Sequence, residues 1–257
     1  IEATLHGPSH DLHSGSYGGA VVNPANALAK ILGQLHDDDG RILIDGFYDD
    51  VTQVSAEQVK QWNSLGDADA LTLESSGAKA TFGETGFSTL ERLWSRPTCD
   101  VNGLFAGYTG EGAKTVIGAK ATAKISCRLV AHQKPEQIEQ ALFAFLNERT
   151  PEGCHWDLKS FGTAPAIAVP TESPWLSAAS DALTSVFPNP AVLIGTGGSI
   201  PVVGEFQEIL GVDTVMVGFS LDDDLIHAPN EKFEVSCYRR GILAQAAILE
   251  AYANISS

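Results

Sequence analysis

Residues 121–130, ATAKISCRLV, set the architecture of the first half of the chain. Ala123, Ile125, Cys127 and Leu129 fall on one side of an extended chain, and Thr122, Lys124, Ser126 and Arg128 fall on the other. A period of two is the mark of a strand with one buried face. The apolar face needs a second layer to cover it, while the polar face carries Arg128 outward.

The covering layer can be read on both sides of this strand. Upstream, Ile1 to Leu5 alternates like a strand, and after a Gly-rich turn Asn23-Pro24 supplies an N-cap with proline at the first helical position. Leu28, Ile31, Leu32 and Leu35 then recur at helical spacing, and residues 37–40, DDDG, end the helix in a solvated turn. Downstream, Pro135 opens a helix with Ile138, Leu142, Phe145 and Leu146 on one face, and Trp156 and Leu158 alternate in a following strand. Strand, helix, strand pair, helix, strand is the order of a ferredoxin-like sandwich, with both helices on one face of an antiparallel sheet. We expect this α+β domain over residues 1–168, with an insertion near 41–100 that holds the apolar run Ile42-Leu43-Ile44 and a helix capped by Ser55 and Gln58.

Past the Pro-containing stretch 164–174 the pattern changes. Ser173-Pro174 opens a helix, Ala191–Ile194 and Val215–Phe219 read as short buried strands, and Ser236–Tyr252 reads as a closing helix. Residues 169–257 are thus expected to form a thin α/β domain. Its thinness, with a chain that opens directly on a strand, gives the expectation of a piece cut from a longer protein.

Composition narrows the function classes. Of 257 residues, 44% are hydrophobic, enough for sizeable cores. Sixteen Lys and Arg against 32 Asp and Glu leave a net charge of −16, which argues against nucleic acid and anionic membranes as partners. No apolar run approaches the roughly 20 residues of a membrane span. Cys99, Cys127, Cys154 and Cys237 lie far apart with no CxxC pair, so reduced thiols in a cytoplasmic protein are expected.

Several segments invite chemical readings. His6, His10 and His13 have a ligand-like spacing, but Gly7 and Pro8 prevent a helix from aligning them. Residues 107–115, GYTGEGAKT, miss a P-loop because Ala113 stands where glycine is required and the chain runs on into a strand, so a hairpin connection is expected. Residues 195–201, GTGGSIP, offer a hydroxyl and free amides suited to an oxyanion, yet a structural turn reads equally well. A serine nucleophile there, with His227 and Asp223, lacks the GxSxG elbow. His227, in residues 221–231, LDDDLIHAPNE, stands alone as a candidate metal ligand beyond a strand.

Taken in order, 11–15 DLHSG with Gly18-Gly19, 93–98 LWSRPT leading into 101–103 VNG, 112–117 GAKTVI, 128–130 RLV, 197–201 GGSIP and 227–231 HAPNE resemble the co-catalytic zinc exopeptidases. That family includes carnosinase-type dipeptidases, glutamate carboxypeptidase, aminoacylase and succinyl-diaminopimelate desuccinylase, and the dipeptidase branch fits best. The resemblance implies an α/β protein in which a ferredoxin-like lid that also forms a homodimer (1–168) precedes the C-terminal part of a zinc-peptidase catalytic domain (169–257). It implies His227 as a metal ligand, His13 as the lid histidine that stabilises the oxyanion in the partner subunit's site, and Thr115, Arg128, Gly198 and Ser199 as substrate contacts, with Arg128 on the carboxylate. It further implies two zinc ions, or other divalent metals, in the complete enzyme and hydrolysis of dipeptides or related small amides, with this chain alone incomplete. Dipeptidases often carry an acid at the position of Thr196. The alternative is a non-catalytic dimerisation or binding module built on the same lid.

Overall fold

The computed structural model describes residues 1–257 other than 168, 170, 197–199, 213, 227, 256 and 257. The strand that includes residues 121–128 lies inside a four-stranded antiparallel sheet. In chain order the elements of the first half are β1 (Glu2–His6), β2 (Leu12–His13), α1 (Ser14–Tyr17), α2 (Pro24–Leu32), α3 (Ala56–Asn63), α4 (Ala68–Ser76), α5 (Thr89–Trp94), β3 (Thr98–Ala106), β4 (Val116–Ile117), β5 (Lys120–Arg128), α6 (Pro135–Glu148) and β6 (His155–Lys159). The sheet order is β3-β5-β1-β6, the ferredoxin-like arrangement, and β2 pairs separately with β4. The 107–115 run is the connection between paired strands β3 and β5 that its sequence predicts.

The alternation works as expected. Ala121, Ala123 and Ile125 are buried, and with Ala3 and Leu5 of β1 they pack under Leu28 and Ile31 of α2 and Ile138, Leu142, Phe145 and Leu146 of α6. Each fully buried Leu or Phe in this layer contributes about 1.5–3 kcal/mol relative to exposure. Asn23 caps α2 by accepting from the Ala25 amide at 3.0 Å, with Pro24 at its first position. The 37–40 turn closes on itself, Asp37 accepting from the amides of Asp39 and Arg41.

The irregular stretch is held by polar contacts. Arg96, within the LWSRPT segment, donates from Nε and Nη2 to the Glu84 carboxylate at 2.8 and 2.9 Å and lies 4.2 Å over the Phe87 ring. Its role in the fold is therefore structural. Buried Gln133 ties another loop down, donating to Phe47 O and accepting from the Val130 amide.

The chain divides into two compact units, 1–59 with 82–166, and 60–81 with 167–257. Segment 60–81, inside the stretch expected as an insertion, thus clusters with the second unit. Trp62 shows the link, its indole Nε1 donating to Leu193 O at 3.1 Å. The second unit also holds α7 (Pro174–Val186), α8 (Pro201–Leu210) and α9 (Val235–Ala253). Ala179 and Ala182 of α7 meet Ile248 of α9 in its core, with Val215 and Val217 against them. Gly241 lets Phe219 pack closely on α9, since a Cβ there would lie 3.2 Å from the ring.

One expectation needs correction here. Residues 191–194 and 215–219 alternate in burial as strands do, but neither belongs to a ladder among the described residues. Periodicity records which face is covered, whereas a strand also needs a neighbour to exchange hydrogen bonds. Helix α8 went unforeseen, and large apolar side chains including Ile194, Phe206, Ile209, Leu210, Leu243 and Leu249 remain exposed in this unit.

Candidate active site

His13 sits at the end of β2 as the N-cap of α1. Its Nδ1 accepts from the Gly15 amide at 3.0 Å. A backbone amide can only donate, so Nδ1 is unprotonated and the neutral ring carries its proton on Nε2. Nε2 faces the Thr115 hydroxyl at 3.4 Å. Gly15 makes this possible, because a Cβ at that position would lie 2.8 Å from His13 Cε1.

The β2–β4 ladder fixes the pair. His13 is the register partner of Val116, the Ser14 amide donates to Thr115 O at 3.0 Å, and the Asp11 carboxylate accepts from the Ala119 amide at 2.9 Å. Both His13 and Thr115 are exposed. The result is an N–H donor and a hydroxyl on a short rigid ribbon, aimed at solvent and suited to developing negative charge.

Arg128 is at the opposite end of β5, exposed and paired in register with Thr98. Among the described residues no carboxylate pairs with its guanidinium. Eight residue steps of strand separate it from Lys120, the end of β5 to which the chain runs from β4 and the His13 ribbon, which is about 27 Å of extended chain. The structure therefore brings His13 and Thr115 together and holds Arg128 apart from them.

His227, Gly198 and Ser199 lie outside the described residues. Among the described neighbours, a 3₁₀ turn spans Asp222–Asp224, and Leu225 and Asn230 have positive φ. The Asp224 carboxylate accepts from the Leu221 amide at 2.8 Å and from Lys232 Nζ at 2.9 Å. First the amide bond and then the lysine hold its carboxyl below the usual carboxylate range. Lys232 also reaches Asp223, and these two bonds raise the ammonium above the ordinary lysine range. Among the described residues no three His, Cys, Asp or Glu side chains converge, so these residues by themselves do not fit a metal centre.

The βαββαβ sandwich with this pair on its rim defines a class, a peptidase dimerisation domain, and the model of that domain matches residues 1–154. The chain belongs to the M20 metallopeptidase family. It is 30% identical over 258 residues to the Cys-Gly metallodipeptidase DUG1 of Saccharomyces cerevisiae, covering 98% of this chain and 53% of that protein. It is 30% identical over 242 residues to the Beta-Ala-His dipeptidase of Homo sapiens, covering 92% and 47%. Among solved structures it matches the M20 family metallo-carboxypeptidase Sso-CP2 from Sulfolobus solfataricus with a TM-score of 0.83 and 29% identity, over 99% of this chain and 58% of the other. The chain spans about half the length of the curated relatives it matches.

Gly15, whose amide caps the His13 imidazole, was passed over in the sequence as one of several glycines. The signal available was its place two residues after His13, where an amide can cap the imidazole.

Proposed function

We propose that this chain is the lid (1–168) and the C-terminal catalytic portion (169–257) of a zinc-dependent, cytoplasmic dipeptidase that works as a homodimer. The observation that carries this reading is the distance along β5. A dipeptide is at most about 7 Å long, so one substrate cannot touch both the His13–Thr115 pair and Arg128 of the same chain. A twofold dimer resolves the conflict, each lid lending His13 and Thr115 to its partner's site while Arg128 serves its own. Relatives of this chain are named as a Cys-Gly metallodipeptidase and a Beta-Ala-His dipeptidase, which supports small peptides as the substrate class.

In this reading the Arg128 fork takes the substrate's free carboxylate in two parallel hydrogen bonds, which gives cleavage next to a C-terminal residue its specificity. The His13 Nε2–H, held in that tautomer by the Gly15 amide, donates to the scissile carbonyl oxygen as it becomes an oxyanion. Thr115, Gly198 and Ser199 contact the substrate, and His227 is one metal ligand. The remaining ligands and the group that takes the proton from water fall to protein outside this chain. Zinc, or another divalent metal, would supply Lewis acidity at the carbonyl.

Two features support the incompleteness of the chain alone: its half-length match to relatives, and the exposed apolar side chains of the second unit, of a kind that ordinarily marks a buried interface. The test is equilibrium dialysis with zinc together with a dipeptide hydrolysis assay. We expect fewer than two tightly held ions per chain and no turnover; two tight ions with turnover would overturn the reading. A second reading, a non-catalytic dimerisation module, is favoured by the family match covering the lid and by the absence of a ligand cluster among the described residues. Failure of the full-length protein to cleave any dipeptide would select it.

A further inference from the structure

The lid sheet places two of the four cysteines face to face. Cys99 on β3 and Cys127 on β5 are register partners on antiparallel strands. Opposed Cβ atoms in such a pair stand about 4.5–5.5 Å apart. A disulfide requires about 3.5–4.5 Å, so this rung must close by roughly 1 Å. Strand β3 is placed to make that move. It is the edge of the sheet, and the register shift between Val101 and Gly103, two residues away, gives it local slack.

The two thiols also differ in the way a reactive pair requires. Cys99 is 2% exposed, whereas Cys127 is only half-buried, so a reagent meets Cys127 first. The interaction between the two thiols favours the thiolate on Cys127 and, with burial, disfavours it on Cys99. The better exposed Cys127 is thus placed to attack and the buried Cys99 to resolve. Cys154, by contrast, is pushed up by burial alone, and Cys237 lies in α9 of the other unit.

We propose that Cys99 and Cys127 form a reversible redox couple, a cross-strand disulfide closed by a small-molecule disulfide of the glutathione type. The Cys127 thiolate attacks the reagent's S–S bond, forming a mixed disulfide and releasing one thiolate. Cys99 then gives its proton to that thiolate and attacks the Cys127 sulfur, releasing the second reagent thiolate, which takes a proton from solvent. The two protein thiols lose two electrons, and the reagent disulfide is reduced to two thiols. Because Arg128 follows Cys127 directly, closing the rung moves the strand end that carries it. That consequence rests on the role assigned to Arg128 above, whereas the couple itself does not.

The test uses the whole, native chain, equilibrated with glutathione buffers from fully reduced to strongly oxidised, alkylated, digested with trypsin and mapped by mass spectrometry. Cys99 lies in tryptic peptide 93–114, Cys127 in 125–128, Cys154 in 150–159 and Cys237 in 233–239. We expect 93–114 and 125–128 to be joined at the oxidised end and separated again by excess reduced glutathione. Cys99→Ser should trap glutathione on Cys127, while Cys127→Ser should leave Cys99 unmodified. The proposal is overturned if the two peptides stay separate throughout, if the native chain retains glutathione on Cys127, or if Cys99 joins Cys154 or Cys237 instead.

Discussion

Co-expressing two inactive variants of the full-length protein tests the proposed shared site directly. On the proposed roles, every site of a His13→Ala dimer would lack its oxyanion donor, at a cost of about 10²–10³ in turnover. Every site of an Arg128→Ala dimer would likewise lack the proposed carboxylate clamp, and losing charge-assisted hydrogen bonds costs about 1.5–3 kcal/mol each. The roughly 27 Å of strand between Arg128 and the end of β5 nearest the His13 ribbon would, in the proposed twofold dimer, put the two residues in different sites. In a mixed dimer, one site then has both an intact Arg128 and an intact partner His13, and the other has neither. Random equal assembly makes half the dimers mixed, with one good site of two, so about a quarter of wild-type activity returns. The assay is amino-acid release from a dipeptide at saturating substrate, with differently tagged subunits to confirm mixing. If His13 and Arg128 served the same subunit's site, no combination would restore a working one. Activity at the level of the parent variants in confirmed mixed dimers would refute the reasoning.

Two further outcomes are expected. Gly15→Ala should push the His13 ring from its cap, lowering turnover of the complete enzyme by about 10²-fold with little change in KM, as misplacement of a transition-state donor does; circular dichroism should show the lid still folded. Asp224 is 2% exposed, covered by its own turn, with its carboxyl held down by the Leu221 amide and Lys232. A depressed carboxyl contributes stability that is present above its unfolded value near 3.9 and is lost as pH falls through the lower folded value. Thermal melts of the native chain should therefore weaken in that acid range, and Asp224→Asn should flatten this part of the profile; an unchanged profile would contradict the assigned contacts.

How much could be read beforehand depended on range. The alternation of 121–130 and the helical spacing of Leu28–Leu35 are local patterns with one buried face each, and they led directly to the sandwich. The ribbon that joins His13 to Thr115 is two residues per strand, too short for any period to show. Residues 191–194 and 215–219 had the alternation without the ladder, because hydrogen-bond partners are not written into a segment's own sequence. Cys99 and Cys127 looked distant for a similar reason: their pairing follows from the register of β3 on β5, including a shift at Val101/Gly103 that composition does not announce. The separation of Arg128 from His13 likewise follows from the pairing of β2 with β4, which leads into β5 at its Lys120 end.

The interleaving of the two units has a practical consequence for anyone who divides this gene. The chain passes between them at 59/60, 81/82 and 166/167, so no single cut yields two self-sufficient pieces. Splitting at 166/167 would strand residues 60–81, with Trp62 and its bond to Leu193, on the wrong fragment. The C-terminal piece expressed alone would lack an internal strap that linear reading assigns to its neighbour. Supplying residues 60–81 in trans is then the natural remedy, as in split-protein reconstitution.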